Sequence, residues 1–423
     1  MPADRITELR ISGLRVIREL TLPLSGLTVL IGDNGTGKSS ILEALEILRQ
    51  AAKPLNLVTD VLAKGHGGFQ ALLRRGADKL ELGVTVEGAG PRIDYDFAVA
   101  NIGNTPAVVS ESVQVHEPGS DAPPLRPLAR TQGKLQVLVT SDRYPNSYLE
   151  APESPVVVEH ALALPQVGLP HLGSRIHPAI RRLIEALGHL EVQVPFEARP
   201  LWQAKEQDLR TGPRWPTPIE GTDRLARYAA NLPNAYQQLR NSGEAVWRRV
   251  LERARLGLGA DLREFSLSPS GRGSIELELL FGAFPDRPLP LEVLSEGQVC
   301  YLAFIALREL HPERSLLAFD EPENHLHPAL LARVVWMLEE VAQTAPVILA
   351  THSDRLLDAL TEPAGSVVLC ELDEQRASRL RLPSKAQLED WLRDYQGLGS
   401  LRAEGYEAHV FVDDAPSGRG KAP

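Results

Sequence analysis

The chain of 423 residues has few cysteines and no long hydrophobic run. Its two cysteines, Cys300 and Cys370, are too few for a disulfide framework and stand in no CxxC or Cys/His metal spacing. We therefore expect both thiols to be reduced and buried. No stretch of 18 apolar residues occurs, and residues 1–14 lack the apolar core of a signal peptide. These absences predict a cytoplasmic protein with no membrane contact.

Positive charge is also scarce. The formal net charge is −10, so the chain lacks the overall basic character of nucleic-acid binders, and DNA contact would need a local patch. One arginine-rich helical stretch is a candidate. Its members are Arg224, Arg227, Arg240, Arg248, Arg249, Arg253 and Arg255. Because Glu244 and Glu252 are interleaved, a solvated helix face is favoured over a phosphate-binding one, and DNA is the weaker interpretation.

Composition and pattern indicate a globular α/β protein. Hydrophobic residues make up 43% of the chain, and its length favours two or three substructures. Helix and strand patterns alternate in the C-terminal half, which is typical of a mostly parallel sheet with flanking helices. The helix patterns cover residues 38–52, 178–188, 223–258, 296–310, 328–341 and 354–360. The strand patterns cover 5–30 in three pieces, 262–267, 274–280, 316–319, 347–350 and 367–371.

Two other regions have weaker signals. Residues 84–129 mix short apolar runs with turn clusters, a pattern that indicates hairpins and surface loops. Ser384 is the expected N-cap of a last helix through Trp391, and the tail from Ala415 to Pro423 is expected to be disordered.

Residues 32–39 match the phosphate-binding pattern GxxxxGK[ST], between an apolar strand pattern and a helix pattern. Glycines allow backbone N–H groups to surround a phosphate chain, and the following helix adds its positive dipole end. Lys38 is expected to reach the β- and γ-phosphates of ATP, and the Ser39 hydroxyl to ligate Mg²⁺. The expected ATP-binding residues are Asn34, Gly35, Thr36, Gly37, Lys38, Ser39 and Ser40.

Three further polar groups follow apolar runs. Asp320 ends one strand pattern, where a second Mg²⁺ ligand is needed, and Glu321 is placed to orient or deprotonate the attacking water. His352 follows the next strand pattern and can contact the γ-phosphate as a hydrogen-bonding switch. Taken alone, Asp320 and Glu321 also fit a solvated strand end, and His352 fits an ordinary helix N-terminus.

A second anion site is expected at the start of the helix pattern at 296–310. Ser295 and the backbone at Gly297 open this helix, and its N–H groups and dipole attract negative charge. The alternative is that Ser295 only caps the helix.

The order of these motifs resembles the RecF/SMC-like branch of ABC ATPases, in particular the stand-alone AAA_21-type ATPases of bacteria. Residues 294–298 (Leu-Ser-Glu-Gly-Gln) match the ABC signature, and residues 320–328 (Asp-Glu-Pro-Glu-Asn-His-Leu-His-Pro) match Walker B continued into a D-loop at 324–327. The resemblance implies a P-loop NTPase fold with a mixed or parallel sheet, flanking helices and an antiparallel N-terminal β element. It also implies that Glu321 is the catalytic acid and His352 the switch.

Further roles rest on the resemblance alone. Arg15 matches a nucleotide-contacting element, although Gly13 and Leu14 replace its first two residues, and Gln70 is the candidate Q-loop residue or an exposed turn glutamine. In the family, the signature meets the γ-phosphate held by a second copy, so Ser295, Gly297 and Gln298 are expected at an ATP-dependent homodimer interface.

The resemblance divides the chain into four parts. They are the N-terminal half of an ATPase head at 1–85, an inserted β-hairpin and helical module at 86–260, the C-terminal half at 261–375, and a C-terminal helix and tail at 376–423. The long interval between Ser39 and Leu294, with no membrane segment, argues against a transporter subunit.

Two functions are compatible with this sequence. The first is a slow ATPase head that couples dimerisation to DNA or to a partner effector, in DNA repair or anti-phage defence. The second is a nucleotide-sensing scaffold with negligible turnover that regulates a separate effector protein. The chain after Glu371 is too short for a metal-dependent nuclease domain, so any cleavage would come from another polypeptide, such as a nuclease.

Overall fold

The computed structural model describes residues 3–53, 55–119, 122–131, 134–139, 147–152, 177–200, 212–271, 273–310, 313–383 and 411–412. Two hydrophobic cores lie on opposite faces of a central sheet. Successive residues of its strand at 316–320 alternate between them: Leu316 and Ala318 join the first core, and Leu317 and Phe319 join the second. A strand buried on both faces needs a continuous apolar run, and the sequence supplies one.

The strands are numbered in chain order. They are β1 Arg5–Leu14, β2 Ile17–Pro23, β3 Leu27–Ile31, β4 Lys79–Glu87, β5 Arg92–Ile102, β6 Thr105–His116, β7 Leu125–Thr131, β8 Lys134–Val139, β9 Ser147–Pro152, β10 Leu190–Gln193, β11 Thr217–Pro218, β12 Leu262–Pro269, β13 Ser274–Phe281, β14 Leu289–Pro290, β15 Leu316–Asp320, β16 Val347–Thr351, β17 Val367–Leu372, β18 Ser378–Pro383 and β19 Phe411–Val412.

The helices complete the layers. They are α1 Lys38–Ala51, α2 Lys64–His66, α3 Phe69–Leu72, α4 Pro178–Gly188, α5 Leu232–Asn241, α6 Glu244–Leu258, α7 Glu296–Glu309, α8 Pro328–Ala342, α9 Asp354–Asp358 and α10 Pro363–Ser366, with a π-helical segment at Leu57–Ala63 and 3₁₀ turns at Arg227–Ala229 and Leu291–Val293. Within the described residues, no helix combines the length and the apolar character needed to cross a bilayer.

The central sheet has the strand order β10-β15-β16-β3-β17-β18-β19. Strands β10, β15, β16, β3 and β17 are mutually parallel, and β18 runs antiparallel to β17. Helix α1 lies between this sheet and the N-terminal sheet, since it contacts β1 and β4 as well as β15 and β16. Parallel strands carry their carboxyl ends to one edge, so β3, β15 and β16 present the three sequence motifs side by side.

The N-terminal sheet is antiparallel, with the order β2-β1-β4-β5-β6-β7-β8-β9. The expected domain boundary near residue 85 falls inside β4, which pairs with β1 on one side and β5 on the other. The hairpins expected as part of an insert therefore extend the N-terminal sheet. Strand β10 also lies in the expected insert, but it pairs in parallel with β15 of the central sheet.

A third, smaller sheet is formed by β11, β13 and β12, with β14 beside β13. Helices α5 and α6 pack against it and against α7. The aromatic rings of Tyr236 and Phe265 meet at 4.8 Å between centroids, and Trp247 lies 5.7 Å from Phe265. This small sheet and its helices therefore cover one side of the second core.

The arginine-rich stretch is held by carboxylates of the same chain. Arg249 and Arg253 both pair with Glu309, at 3.2 and 2.7 Å, and the Glu309 side chain is almost completely buried. Arg253 also pairs with Glu340 at 2.8 Å, and Arg248 with Glu244 at 3.0 Å. The pairs of Arg249 and Arg253 fix α6 to α7 and α8, so these two arginines are not free to form a phosphate-binding stripe.

The structure matches most of the element pattern. The α/β fold with a mostly parallel sheet is confirmed, and Cys300 and Cys370 are free and buried as expected. The helical stretch at 223–258 is two helices after a 3₁₀ turn, and β18 was not predicted. The helix expected from Ser384 and the tail from Ala415 lie outside the described residues.

Candidate nucleotide-binding and hydrolysis site

The phosphate-binding loop connects β3 to α1 and is tightly packed against the central sheet. Gly32 has φ +155°, and a Cβ there would lie 2.1 Å from the carbonyl oxygen of Cys370. Gly37 has φ +106°, and the Ser378 hydroxyl beside it donates a 2.7 Å hydrogen bond to the carbonyl oxygen of Thr36. Only glycine fits these two places, so β17 and β18 determine the shape of the loop.

Lys38 lies inside the loop. Its Nζ donates to the carbonyl oxygens of Gly32 at 2.6 Å and Asp33 at 2.9 Å, and its side chain is 4% exposed. The Thr36 hydroxyl donates to the Asp33 carbonyl at 2.8 Å, while Asn34 and Gly35 are exposed at the tip of the loop. A loop of N–H groups around a buried ammonium, at a helix N-terminus, is chemically suited to a polyphosphate.

Ser39 and Asp320 meet at the start of α1 and the end of β15. The Ser39 side chain hydrogen-bonds Asp320. Burial raises the pKa of Asp320, and the charge of neighbouring Glu321 raises it further. A hydroxyl and a carboxylate are oxygen ligands of the kind that Mg²⁺ takes, and a cation would relieve the unfavourable charge on Asp320. The residues present therefore fit Mg²⁺ bound with a triphosphate. Ser40, next to this pair, is buried.

Glu321 and His352 approach each other at the ends of β15 and β16. The distance between His352 Nε2 and Glu321 Oε1 is 3.6 Å, and both side chains are partly exposed. The Glu321 backbone has φ +47° and donates to the Ala350 carbonyl at 2.8 Å, while Asn324 donates to its carboxylate at 2.8 Å. The turn after Asp320 thus directs Glu321 towards the histidine and the neighbouring Ser39–Asp320 pair.

A second carboxylate, Glu323, lies behind this pair. The Thr351 hydroxyl donates to Glu323 Oε1 at 2.5 Å, and the His352 backbone N–H donates to the same oxygen at 3.3 Å. Glu323 was not among the residues expected in the site. The only available signal was its position in the Asp-Glu-Pro-Glu segment, which does not reveal a partner 28 residues away.

Arg15 lies on the other side of Ser39. Its guanidinium binds Glu43 with both Nε at 2.5 Å and Nη2 at 2.9 Å, and His66 Nδ1 lies 2.9 Å from the same carboxylate. Burial opposes ionisation of Glu43, but hydrogen bonds from His66 and Arg15 outweigh it and lower its pKa to about 2. Arg15 therefore has a fixed place beside the site.

Some of these groups line a cavity of about 550 Å³ next to α1, whereas Lys38, Glu321 and His352 are not among the residues that line it. Arg15, Ser39, Glu43 and Asp320 all face it, whereas Gln70 is exposed on α3 and is not among the lining residues. Gln193 does line it, at the carboxyl end of β10 beside the strand of Asp320. The structure brings Arg15 to the cavity and leaves Gln70 outside it.

The signature residues form the N-terminus of α7. The Ser295 hydroxyl accepts the N–H of Gln298 at 3.3 Å, and the Gln298 side chain accepts the N–H of Ser295 at 2.9 Å, which is a reciprocal capping box. Ser295 is exposed, and Gly297 packs against the carbonyl oxygen of His325.

Two family models match the chain on either side of the hairpins and α4. Residues 5–88 match the family described as "AAA ATPase domain", and residues 254–358 match the family described as "AAA domain, putative AbiEii toxin, Type IV TA system". The first match contains Lys38 and Ser39, and the second contains Ser295, Asp320 and His352. No curated protein sequence is similar enough to this chain to count as a relative.

Solved structures of SMC heads are similar to this fold. An SMC head bound to the C-winged helix domain of ScpA has a TM-score of 0.50 at 14% identity, over 89% of this chain and 96% of that one. An SMC head domain with an extended coiled coil, bound to the C-terminal domain of ScpA derived from Pyrococcus furiosus, has a TM-score of 0.49 at 14% identity, over 92% and 99%. The SMC head domain from Thermotoga maritima has a TM-score of 0.40 at 13% identity, over 89% and 98%. The expected ABC-type P-loop fold is confirmed.

Proposed function

We propose that this chain, an AAA-type P-loop ATPase with the RecF/SMC-like ABC fold, hydrolyses ATP slowly at a site shared between two copies. Binding of ATP with Mg²⁺ is supported by the phosphate-binding loop around Lys38 and by the Ser39–Asp320 pair. Residues 34–37 supply N–H groups to the phosphates, Lys38 neutralises their charge, and Ser39 and Asp320 hold the metal. Arg15 contributes a guanidinium on the neighbouring wall of the cavity.

Hydrolysis is supported above all by the 3.6 Å approach of His352 Nε2 to Glu321 Oε1. Glu321 accepts a proton from, or orients, a water that attacks the γ-phosphate in line. His352 hydrogen-bonds the γ-phosphate, so the position of the loop that follows β16 depends on whether the γ-phosphate is present. Mg²⁺, when bound, offsets the negative charge of the phosphates. Gln193, at the end of β10 and beside the strand of Asp320, replaces Gln70 as our candidate Q-loop residue.

Dimerisation is supported by the position of the signature. The N-terminus of α7 offers N–H groups and the hydroxyl of an exposed serine, Ser295, for an anion. Val293, two residues before Ser295, is 63% exposed and provides apolar surface beside the motif. A second copy facing the first would bring each signature to the other's γ-phosphate.

The proposed output is a change in contact with a partner protein. The SMC head with the TM-score of 0.50 is bound to the C-winged helix domain of ScpA, and we propose by analogy that ATP-driven pairing of this chain regulates a separate effector in repair or defence. DNA is the less favoured partner, because Arg248, Arg249 and Arg253 of α6 are already paired with Glu244, Glu309 and Glu340.

Steady-state ATPase rates and mass in solution test this function together. Wild type should hydrolyse ATP above the level of Glu321→Gln, and Glu321→Gln should accumulate as a dimer with MgATP. If wild type were as inactive as Glu321→Gln while both still dimerised with ATP, the chain would be a nucleotide-sensing scaffold. If neither bound ATP, the proposed function would be wrong.

A further inference from the structure

Glu323 connects two loops of the site. It follows the Walker B acids, but its bonded oxygen faces the segment after β16: Oε1 accepts the Thr351 hydroxyl at 2.5 Å and the His352 N–H at 3.3 Å. Thr351 is fully buried, and Glu323 Oε2 is shielded from solvent and has no hydrogen bond to the described residues. Burial raises the pKa of this carboxyl even though the Thr351 bond lowers it. Burying a carboxyl with one oxygen lacking a hydrogen bond costs free energy, so its presence here indicates a functional role.

The contacts continue beyond Thr351. Its hydroxyl oxygen accepts the N–H of Ser353 at 2.9 Å, and the Ser353 hydroxyl accepts the N–H of Leu356 at 3.3 Å, which caps α9. His352 is therefore held by the hydrogen bond of its own backbone N–H and by the hydrogen bonds of its two neighbours, Thr351 and Ser353. Its imidazole extends from this fixed segment towards Glu321.

We infer that Glu323 is a positioning residue for hydrolysis, which holds residues 351–353 against the Walker B turn so that His352 stays beside Glu321. The inference rests on the proposed function and adds a residue to it. Glu321 and His352 come from different strands, β15 and β16, and their separation depends on the two loops that follow these strands. Glu323 is the side chain that bonds one loop to the other. A displacement of about 1 Å at a reacting centre can reduce turnover by about a hundredfold.

Paired substitutions separate positioning from general stabilisation. Glu323→Ala and Thr351→Val each remove the bond between the loops. Glu323→Gln and Thr351→Ser are the matched controls: only Oε1 of Glu323 is bonded, so an amide carbonyl can accept the same two donors, and serine keeps the hydroxyl. We expect the first two variants to lower kcat about ten- to a hundredfold with KM for ATP within about twofold, and the controls to stay within about threefold of wild type.

The His352→Ala background decides whether the effect passes through the histidine. If Glu323 acts by placing His352, Glu323→Ala should cause no further loss of kcat once His352 is absent. An equal loss in both backgrounds would overturn the inference. Should Glu323→Ala fail to fold, the same cycle with Thr351→Val decides, because valine keeps the shape of threonine in the buried position.

A spectroscopic measurement does not depend on turnover. With ¹³C-labelled histidine, the His352 resonance, assigned by its loss in His352→Ala, should shift in Thr351→Val and stay in place in Thr351→Ser. An unshifted resonance in Thr351→Val would contradict the positioning role. If the wild type had no ATPase activity but the His352 resonance shifted in Thr351→Val, hydrolysis would be refuted and the contact supported. If the wild type were active and Thr351→Val had an unshifted resonance and a normal kcat, only the positioning role of Glu323 would be refuted.

Discussion

The carbonyl oxygen of His325 lies 2.7 Å from the place where a Cβ on Gly297 would stand. The same pair of segments is joined by a 2.5 Å contact between His325 Nδ1 and Glu296 Oε2. Gly297 belongs to the signature, and His325 follows the Walker B acids with φ +66°. The part of the chain expected to meet a partner's nucleotide is thus in direct contact with the loop that follows its own catalytic carboxylate.

This contact predicts the effect of Gly297→Ala. Alanine favours a helix by about 1 kcal/mol over glycine, but its methyl group would overlap the backbone oxygen of His325, which cannot swing away as a side chain can. We expect ATP-dependent dimerisation and turnover to be lost, measured by sedimentation and ATPase rate. Gly365→Ala is the control, because a Cβ there meets nothing within 4 Å. Normal dimerisation of Gly297→Ala would contradict this account of the signature.

Lys38→Ala should abolish nucleotide binding. The ammonium is buried in the loop, and without it the phosphates lose their nearest countercharge. In wild type, a MgATP concentration 100 times the Kd should stabilise the fold by about 2.7 kcal/mol, which is seen as a rise in Tm. The variant should show no such rise. Lys79→Ala, which removes an exposed lysine paired with Glu81, should respond to ATP as wild type does.

The lowered pKa of Glu43 makes stability depend on pH. Its folded pKa of about 2 lies below the 4.5 of a free glutamate, so its ionised form contributes stability above pH 4.5, and this contribution is lost as the pH falls towards 2. At pH 7, Glu43→Gln should reduce the free energy of unfolding by about 2 kcal/mol, which is less than the full pKa shift would give because solvent screens this partly exposed group. The difference between variant and wild type should shrink between pH 4.5 and 2 in denaturant titrations. A difference that does not change over this range would show that Arg15 and His66 do not hold the carboxylate.

Ser378 links β18 to the phosphate-binding loop, and its removal should weaken that loop. Ser378→Ala leaves the buried carbonyl of Thr36 without the hydroxyl donor, at a cost of about 1 kcal/mol. We expect a higher KM for ATP with a smaller change in kcat. Ser110→Ala, on the N-terminal sheet, is a control for loss of a serine hydroxyl elsewhere. An unchanged KM in Ser378→Ala would show that the loop keeps its shape without β18.

The sequence predicted the parts of the site that depend on neighbouring residues. A strand end or a helix start is specified by a few neighbouring residues. This holds for the loop at 32–39, the acids that end β15, the histidine that follows β16 and the cap of α7. The parallel order that brings β3, β16 and β15 together follows from the βα alternation, which was also visible.

What the sequence did not reveal is pairing between distant segments. Strand β10 has only four residues and joins the central sheet through β15, more than 120 residues away, so no local pattern points to Gln193. Two hydrogen bonds also join segments that are far apart in the sequence: the bond from Ser378 to Thr36 and the bond from Thr351 to Glu323. Tertiary contacts of this kind have no fixed spacing, so no pattern in a single sequence indicates them.

The shared site is tested most directly by mixing two inactive variants. Ser295→Arg should keep its nucleotide but fail as a signature, and Lys38→Ala should keep its signature but bind no ATP. A mixed dimer has one complete site, in which Lys38 of the first variant faces Ser295 of the second, while its other site lacks both. We predict that neither variant alone has ATPase activity and that the mixture of equal amounts regains activity, up to about half of the wild-type rate. A mixture no more active than its separate components, beside an active wild type, would contradict a site built from two copies.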